Sequence, residues 1–209
     1  MRFLRHSGPI NYVDVGASVG DVAGSVDTHF GIGRGLFVEP QPERCQQLVE
    51  RFPAPRFSVH QCALSDRSET CTMDVLNWHY SSSLLPVRRD LPNVSTLLDL
   101  DVRQKIECQL TTLDQLMAEH WKDGVIDLMK IDVQGAELMV LRGAAKTLKR
   151  VRFVLTEVSF IPMYEASCGF EELHGFLREH GFRLLAMEEG FRGKDGELLQ
   201  CDALFKGRD

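Results

Sequence analysis

Short apolar runs alternate along this chain with stretches in which apolar residues recur every three to four positions. Residues 10–15 (Ile-Asn-Tyr-Val-Asp-Val) form the first run, and Val22, Ala23, Val26 and Phe30 then mark one face of a helix. Gly31-Ile-Gly-Arg-Gly35 is expected to stop that helix, with a second strand over residues 36–39. Pro40 and Pro42 end the strand, and Pro42 suits the first turn of a helix through Leu48, Val49 and Phe52. Residues 57–63 read as a third strand. Strand and helix therefore alternate with short connections, which predicts a parallel sheet with right-handed crossovers.

The middle of the chain breaks the rhythm. Residues 70–76 are a candidate extra strand. Residues 77–104 show little periodicity and contain Trp78, His79, Tyr80, Pro86 and Pro92. That stretch is either an irregular lid or substrate loop, or a solvated connector. Residues 106–110 are a short strand candidate, and 112–118 a helix capped near Thr111 or Thr112. The alternation then returns. The run Val125, Ile126, Leu128, Met129, Ile131 is closed by Lys130 and Asp132 and suits a strand buried on both faces. Gly135 permits a tight turn, and Ala136, Val140, Leu141 and Ala144 return at helical spacing. Residues 153–158 are another buried strand, and 170–180 a helix stopped by Gly181. Residues 182–187 and 199–205 form a closing antiparallel pair. No repeat, low-complexity tract or linker interrupts residues 1–209, so one domain is expected.

Composition narrows the class. The 209 residues suffice for one domain with a large core, and 44% hydrophobic content is ordinary for a globular protein. The formal net charge of −6 argues against general nucleic-acid binding, which needs a basic face. Arg88-Arg89, and Lys149-Arg150 with Arg152, are local basic runs of the kind that usually face solvent. The six cysteines (45, 62, 71, 108, 168 and 201) contain no C-x-x-C pair and read as reduced thiols rather than a disulfide or zinc framework. The first eight residues lack a signal peptide's apolar core, and no apolar run approaches the ~20 residues of a membrane span. A cytoplasmic location without a membrane span is expected. Monomer and homodimer both remain open.

The candidate chemistry sits at strand ends. Asp14-Val-Gly-Ala-Ser-Val-Gly20 joins a strand to a helix, where glycines let the backbone approach a ligand and helix amides are free. Its Gly16-x-x-x-Gly20 spacing departs from the dinucleotide fingerprint, with Ser18 where the middle glycine would stand. The Gly31-x-Gly33 pair precedes a strand and is expected to serve only a turn. Glu39 ends the second strand, 25 positions after Asp14, where an acid can accept from both ribose hydroxyls of a nucleoside. Asp132 ends a buried central strand at the ligand-facing edge.

The ordered set Asp14-Val-Gly-Ala, Val38-Glu-Pro-Gln-Pro42, Ala63-Leu-Ser-Asp66, Ser82-Ser-Leu84, Thr112-Leu-Asp114 and Asp127-Leu-Met-Lys-Ile-Asp-Val-Gln-Gly-Ala-Glu resembles the FkbM-type methyltransferases, over about residues 11–205. The resemblance implies a Rossmann-like seven-stranded α/β sheet, mostly parallel with an antiparallel C-terminal strand pair and helices on both faces. It implies S-adenosylmethionine-dependent O-methylation of a hydroxyl on a sugar, glycolipid, polysaccharide or polyketide, hence a small-molecule or glycan acceptor. Carried over, Asp14, Gly16, Ala17 and Gly20 line the methionine part of the cofactor. Glu39 holds the ribose, Pro40 helps wall the adenine, Cys62 and Ala63 lie beneath or beside it, and Asp132 faces the transferred methyl. The family usually has Glu where this chain has Gln134. About ten residues precede the first strand, so a lid is expected from residues 77–104 or from a second subunit.

Methyl transfer to an aliphatic hydroxyl is an in-line displacement that benefits from a base. Asp132 is best placed, with His79 and Glu157 as further candidates. The aromatic neighbours of His79 suit stacking on a sugar. Glu157, Asp132 and Glu137 would together suit Mg²⁺, although Glu137 at a helix start has a plain structural role there. Two alternatives stay open. A catalytically inactive cofactor-binding module is compatible with Gln134 and the short N-terminus. A nicotinamide-dependent oxidoreductase is opposed by Ser18 and by the absence of a Tyr-Lys or His arrangement.

Overall fold

The computed structural model describes residues 8–77, 83–91 and 101–208. Its frame is one large sheet with a three-stranded ribbon packed at its side. Strands β1 (Ile10–Val15), β2 (Ile32–Val38), β3 (Phe57–His60), β7 (Ile126–Ile131) and β8 (Val151–Ser159) run parallel, with β1 flanked by β2 and β7. The strand order is β10-β11-β8-β7-β1-β2-β3. Strand β11 (Leu198–Lys206) is antiparallel to β8. Its other edge pairs with β9 (Arg183–Met187) and with the two-residue β10 (Phe191–Arg192). The eight segments thus fill seven positions, and β9 and β11 are the expected closing pair.

Alternation within the strands sorts the core onto both faces. Tyr12 and Phe37 join Ala23 and Val26 of α1 (Asp21–Phe30) and Leu48 of α2 (Pro42–Arg51). Val13, Val15, Leu36 and Val38 turn the other way. There they meet α3 (Leu113–His120), α4 (Glu137–Arg142) and α5 (Phe170–Glu179). Burial of these side chains is the main stabilising term for such a layered sheet. Pro42 opens α2 as expected. No helix among the described residues is long and apolar enough to cross a membrane.

Three boundaries differ from the sequence reading. The second strand begins at Ile32 rather than at 36, because Ile32, Arg34 and Gly35 already pair with Ile10, Asn11 and Tyr12 of β1; Gly35 leaves room for the Phe57 ring, which a Cβ there would approach to 2.5 Å. The third strand stops at His60, and the chain turns away so that β4 (Ala63–Leu64) pairs with β6 instead. Strand β6 (Val102–Thr111) is twice the expected length and pairs antiparallel with β5 (Glu69–Leu76). Residues 83–91 of the irregular stretch lie against β8's exit loop, where Arg88 N donates to Met163 O and Glu165 N to Pro86 O.

Candidate active site

Four strand ends meet above the β1/β2/β7 junction, where the winding direction of the sheet reverses and ligand crevices form in open α/β folds. Backbone bonds stitch the loops together. The amides of Gly16 and Ala17 both donate to Val38 O, Asp132 N donates to Val15 O, and Glu39 N to His60 O. The β1–α1 loop comes so close to the β7–α4 loop that a Cβ on Gly16 would lie 1.9 Å from Asp132 O; with φ +77°, the position admits only glycine.

The loops border a cleft that opens to solvent. Of the expected cofactor residues, Gly16, Glu39, Pro40, Cys62 and Ala63 line it, together with Asp132. Three others stand behind the wall. Asp14 is fully buried and its carboxylate accepts from the Tyr12 hydroxyl at 2.8 Å. Ala17 is buried, and Gly20 abuts the Phe52 ring. Their placement shapes the loop from within. His79 lies outside the described residues.

Glu39 is nearly inaccessible to solvent, and its two oxygens accept from Ser18 N at 2.9 Å and Gln41 N at 3.0 Å. Burial pushes its carboxyl above the ordinary range, against the pull of the Gln41 amide, the Arg44 guanidinium and the Ser18 amide. A carboxylate offers about four acceptor positions, so two remain for hydroxyl donors in the cleft. Apolar Val38, Leu64, Met73 and Leu84 supply a wall for a flat ring. A carboxylate acceptor beside an apolar wall is a set that fits an adenosine-bearing ligand.

Asp132 lines the same cleft. Its side chain keeps 37% of its surface. Gln134 Nε2 donates to Oδ1 at 2.7 Å, and Lys130 Nζ lies 3.5 Å from Oδ2. Lys130 is buried and also reaches Asp14 Oδ1 at 3.2 Å and Gly16 O at 3.0 Å. Burial alone would lower the Lys130 pKa, but the Asp14 and Asp132 charges outweigh it and hold the ammonium more firmly protonated than a free lysine. One cation therefore ties the buried acid of β1, the loop carbonyl and the cleft acid of β7.

Gln134 sits at φ +57° and links outward: Tyr164 Oη donates to its Oε1 at 2.9 Å, and Ser83 Oγ to its carbonyl. Glu137 Oε1 accepts from Val133 N and Gly135 N, closing the turn that presents Asp132. Burial raises its carboxyl to about 7. Glu157 is raised well above its usual value by burial and by Asp132, and it accepts from Gln200. With Glu137 turned to backbone amides and Glu157 to Gln200, no group of three metal-binding side chains forms among the described residues. Lys130, Arg44, Gln41 and Met73 were given no role from sequence, and Ser18 was read only as a departure from the dinucleotide fingerprint. Lys130 left only the signal of a charge that closes an apolar run.

The methyltransferase FkbM domain matches residues 14–184, which include every loop of this cleft. The chain belongs to that family. Among relatives of this methyltransferase domain, the 2-O-methyltransferase NoeI of Sinorhizobium fredii is 28% identical over 169 residues, covering 77% of this chain and 66% of NoeI. Methyltransferase sdnD of Sordaria araneosa is 26% identical over 198 residues, covering 81% and 72%. The crystal structure of methyltransferase FkbM from Methylobacillus flagellatus aligns with a TM-score of 0.62 at 17% identity, covering 98% of this chain and 45% of that one. The shared fold is thus the methyltransferase sheet. The chain spans about two thirds of NoeI's length and under half of the Methylobacillus chain.

Proposed function

We propose that this FkbM-family domain is an S-adenosylmethionine-dependent O-methyltransferase acting on a hydroxyl of a sugar, glycolipid, polysaccharide or polyketide-like acceptor. The observation that carries the reading is that Glu39 and Asp132 line one and the same cleft. Glu39 has acceptor capacity left for a ribose diol, and Pro40, Cys62 and Ala63 border the same space. When bound, S-adenosylmethionine supplies a methyl group already activated on a sulfonium. The protein must then hold the acceptor oxygen in line and take its proton.

Asp132 is suited to that second task. It is ionisable and exposed on the cleft side, and each oxygen retains a free lone pair beyond its Gln134 and Lys130 partners. Lys130 and Gln134 fix its orientation, so little ordering is left to be done when the acceptor arrives. The O-methyltransferase name of NoeI favours oxygen as the acceptor atom. A glycan or small-molecule acceptor also agrees with the net charge of −6, which disfavours a polyanionic nucleic acid.

The test is transfer of labelled methyl from S-adenosylmethionine to a panel of sugar and polyketide hydroxyls, with wild type and Asp132→Asn side by side. Wild type labels at least one acceptor. The variant keeps cofactor affinity and loses about 10²–10⁴-fold in turnover, the usual contribution of a positioned base. Full turnover by the variant removes Asp132 as the base.

A further inference from the structure

The three-stranded ribbon beside the cleft carries two thiols face to face. Cys71 on β5 and Cys108 on β6 are register partners in an antiparallel pair, and their sulfurs are 3.2 Å apart. Partners on neighbouring antiparallel strands place their Cβ atoms about 4.5–5.5 Å apart. A disulfide needs a Cβ separation of roughly 3.5–4.5 Å and an S–S bond of about 2.05 Å, so only a small approach of the strands is required. The ribbon is pinned around the pair. Thr70 and Gln109 hydrogen-bond on one side, and Lys105 meets Asp74 at 2.7 Å on the other.

The thiols belong to the inner face of the ribbon. Cys71, Met73 and Val75 alternate inward on β5, and Cys108 and Leu110 on β6, forming one apolar cluster with Ala63. Two members of that cluster, Met73 and Ala63, line the cleft. Ala63 is the register partner of Leu110, two residues beyond Cys108, and Met73 lies two residues beyond Cys71. The pair is therefore one step away from the cofactor wall along both strands.

We propose that Cys71 and Cys108 are a thiol–disulfide modification site, closed by exchange with a small organic disulfide and coupled through Met73 and Ala63 to ligand binding in the cleft. Cys71, half-buried, is the sulfur that meets the reagent; Cys108 is buried. Burial, then the contact with Cys71, push the Cys108 thiol up to about 12, which makes it the slower, resolving partner. The exchange is balanced in two steps. The Cys71 thiol loses its proton to water and attacks the reagent disulfide, forming a mixed disulfide and releasing one thiolate. Cys108 then loses its proton and attacks the Cys71 sulfur, forming the intrachain bond and releasing the second thiolate. The two cysteines lose two electrons and the reagent gains them. Closure draws the sulfurs about 1 Å nearer and moves Met73 and the Leu110–Ala63 rung with them.

The experiment incubates the full chain with oxidised glutathione, blocks free thiols, and maps peptides by mass spectrometry. The expected product is one Cys71–Cys108 cross-link with loss of two of the six thiols, restored by dithiothreitol. Retention of free thiols at both positions, or glutathione adducts that never resolve, overturns the site. Affinity for S-adenosylhomocysteine, measured on both forms, should fall by about tenfold in the cross-linked one, equal to ~1.4 kcal/mol. Equal affinity of the two forms overturns the coupling. That second readout rests on the proposed cofactor. Failure of the reduced protein to bind S-adenosylhomocysteine would count against that cofactor and against the coupling, while the peptide map still decides the disulfide. Cys108→Ser, checked for folding by its thermal melt, should stop at the Cys71–glutathione adduct and bind alike with and without the oxidant.

Discussion

Glu39 and Asp132 line the cleft with different kinds of support, and each stood out in the sequence as an acid at the end of an apolar strand. Glu39 is buried and held by two amides. Replacing it by Gln keeps the shape but removes the charge that strengthens hydrogen bonds to a diol. Glu39→Gln should weaken S-adenosylhomocysteine binding by about 1.5–3 kcal/mol, read by calorimetry. Asp132 depends on the Gln134 amide, which donates inward to Asp132 and accepts outward from Tyr164. A glutamate at 134 cannot donate and would set a second carboxylate beside the first. Gln134→Glu should move the acidic limb of the turnover profile to higher pH, and Gln134→Met, which removes the donor without adding a charge, should move it the same way by less. An unmoved limb in Gln134→Glu would detach Gln134 from the base. Lys130 was harder to read. In sequence it merely closes an apolar run; its role appears only when β1 and β7 pair Asp14 with Lys130.

The parallel core elements followed from apolar periodicity, since each strand buries both faces and each helix one stripe. The capped helix was legible too. Thr112 accepts from Gln115 N, and the Gln115 side chain accepts in turn from Thr112 N, forming a capping box at α3. Thr112→Ala should cost about 1 kcal/mol of stability in a urea melt without changing cofactor affinity. The ribbon was not legible to the same degree. Strand β6 begins with Val102, Arg103, Gln104 and Lys105, all exposed, so its first half shows no apolar face. Its partner lies more than 30 residues away for most rungs, and single-chain periodicity says nothing about long-range pairing. The facing of Cys71 and Cys108 escaped notice for the same reason: without the register, six scattered cysteines look unrelated.

At the scale of the molecule, carboxyls pool at the edge formed by β7, β8 and β11. Glu137, Glu157 and Asp202 all have raised pKa values, chiefly through burial and then through the Asp132 charge. A carboxyl whose folded value lies above its unfolded one binds protons better in the native state. Its contribution is present in full below the unfolded value and is lost as pH rises through the folded value. For Glu137 that loss runs from about 4.5 to about 7. His60 acts oppositely. Burial, then His120, lower it from 6.5 to about 4, so its contribution is present above 6.5 and lost as pH falls toward 4. Thermal stability should therefore rise as pH drops from about 7, in an upper limb down to 6.5, and gain less below it, where His60 offsets part of the Glu137 gain. Glu137→Gln, which keeps an oxygen to accept from Val133 and Gly135, should flatten the upper limb. An unchanged limb would show that Glu137 does not carry it.

The sheet order explains why residues separated by more than ninety positions share one cleft: β1 lies between β2 and β7, and each contributes the loop at its C-terminal end. Sequence alone placed those loops on strand ends but could not say which side chains reach the cleft; Asp14, Ala17 and Gly20 turned out to shape its wall from behind. The most direct test of the account is parallel calorimetric titration of the purified chain with S-adenosylmethionine, S-adenosylhomocysteine and NAD. Saturable binding of the two adenosyl sulfur ligands without binding of NAD is the predicted result. Binding of NAD with neither of the others would contradict it.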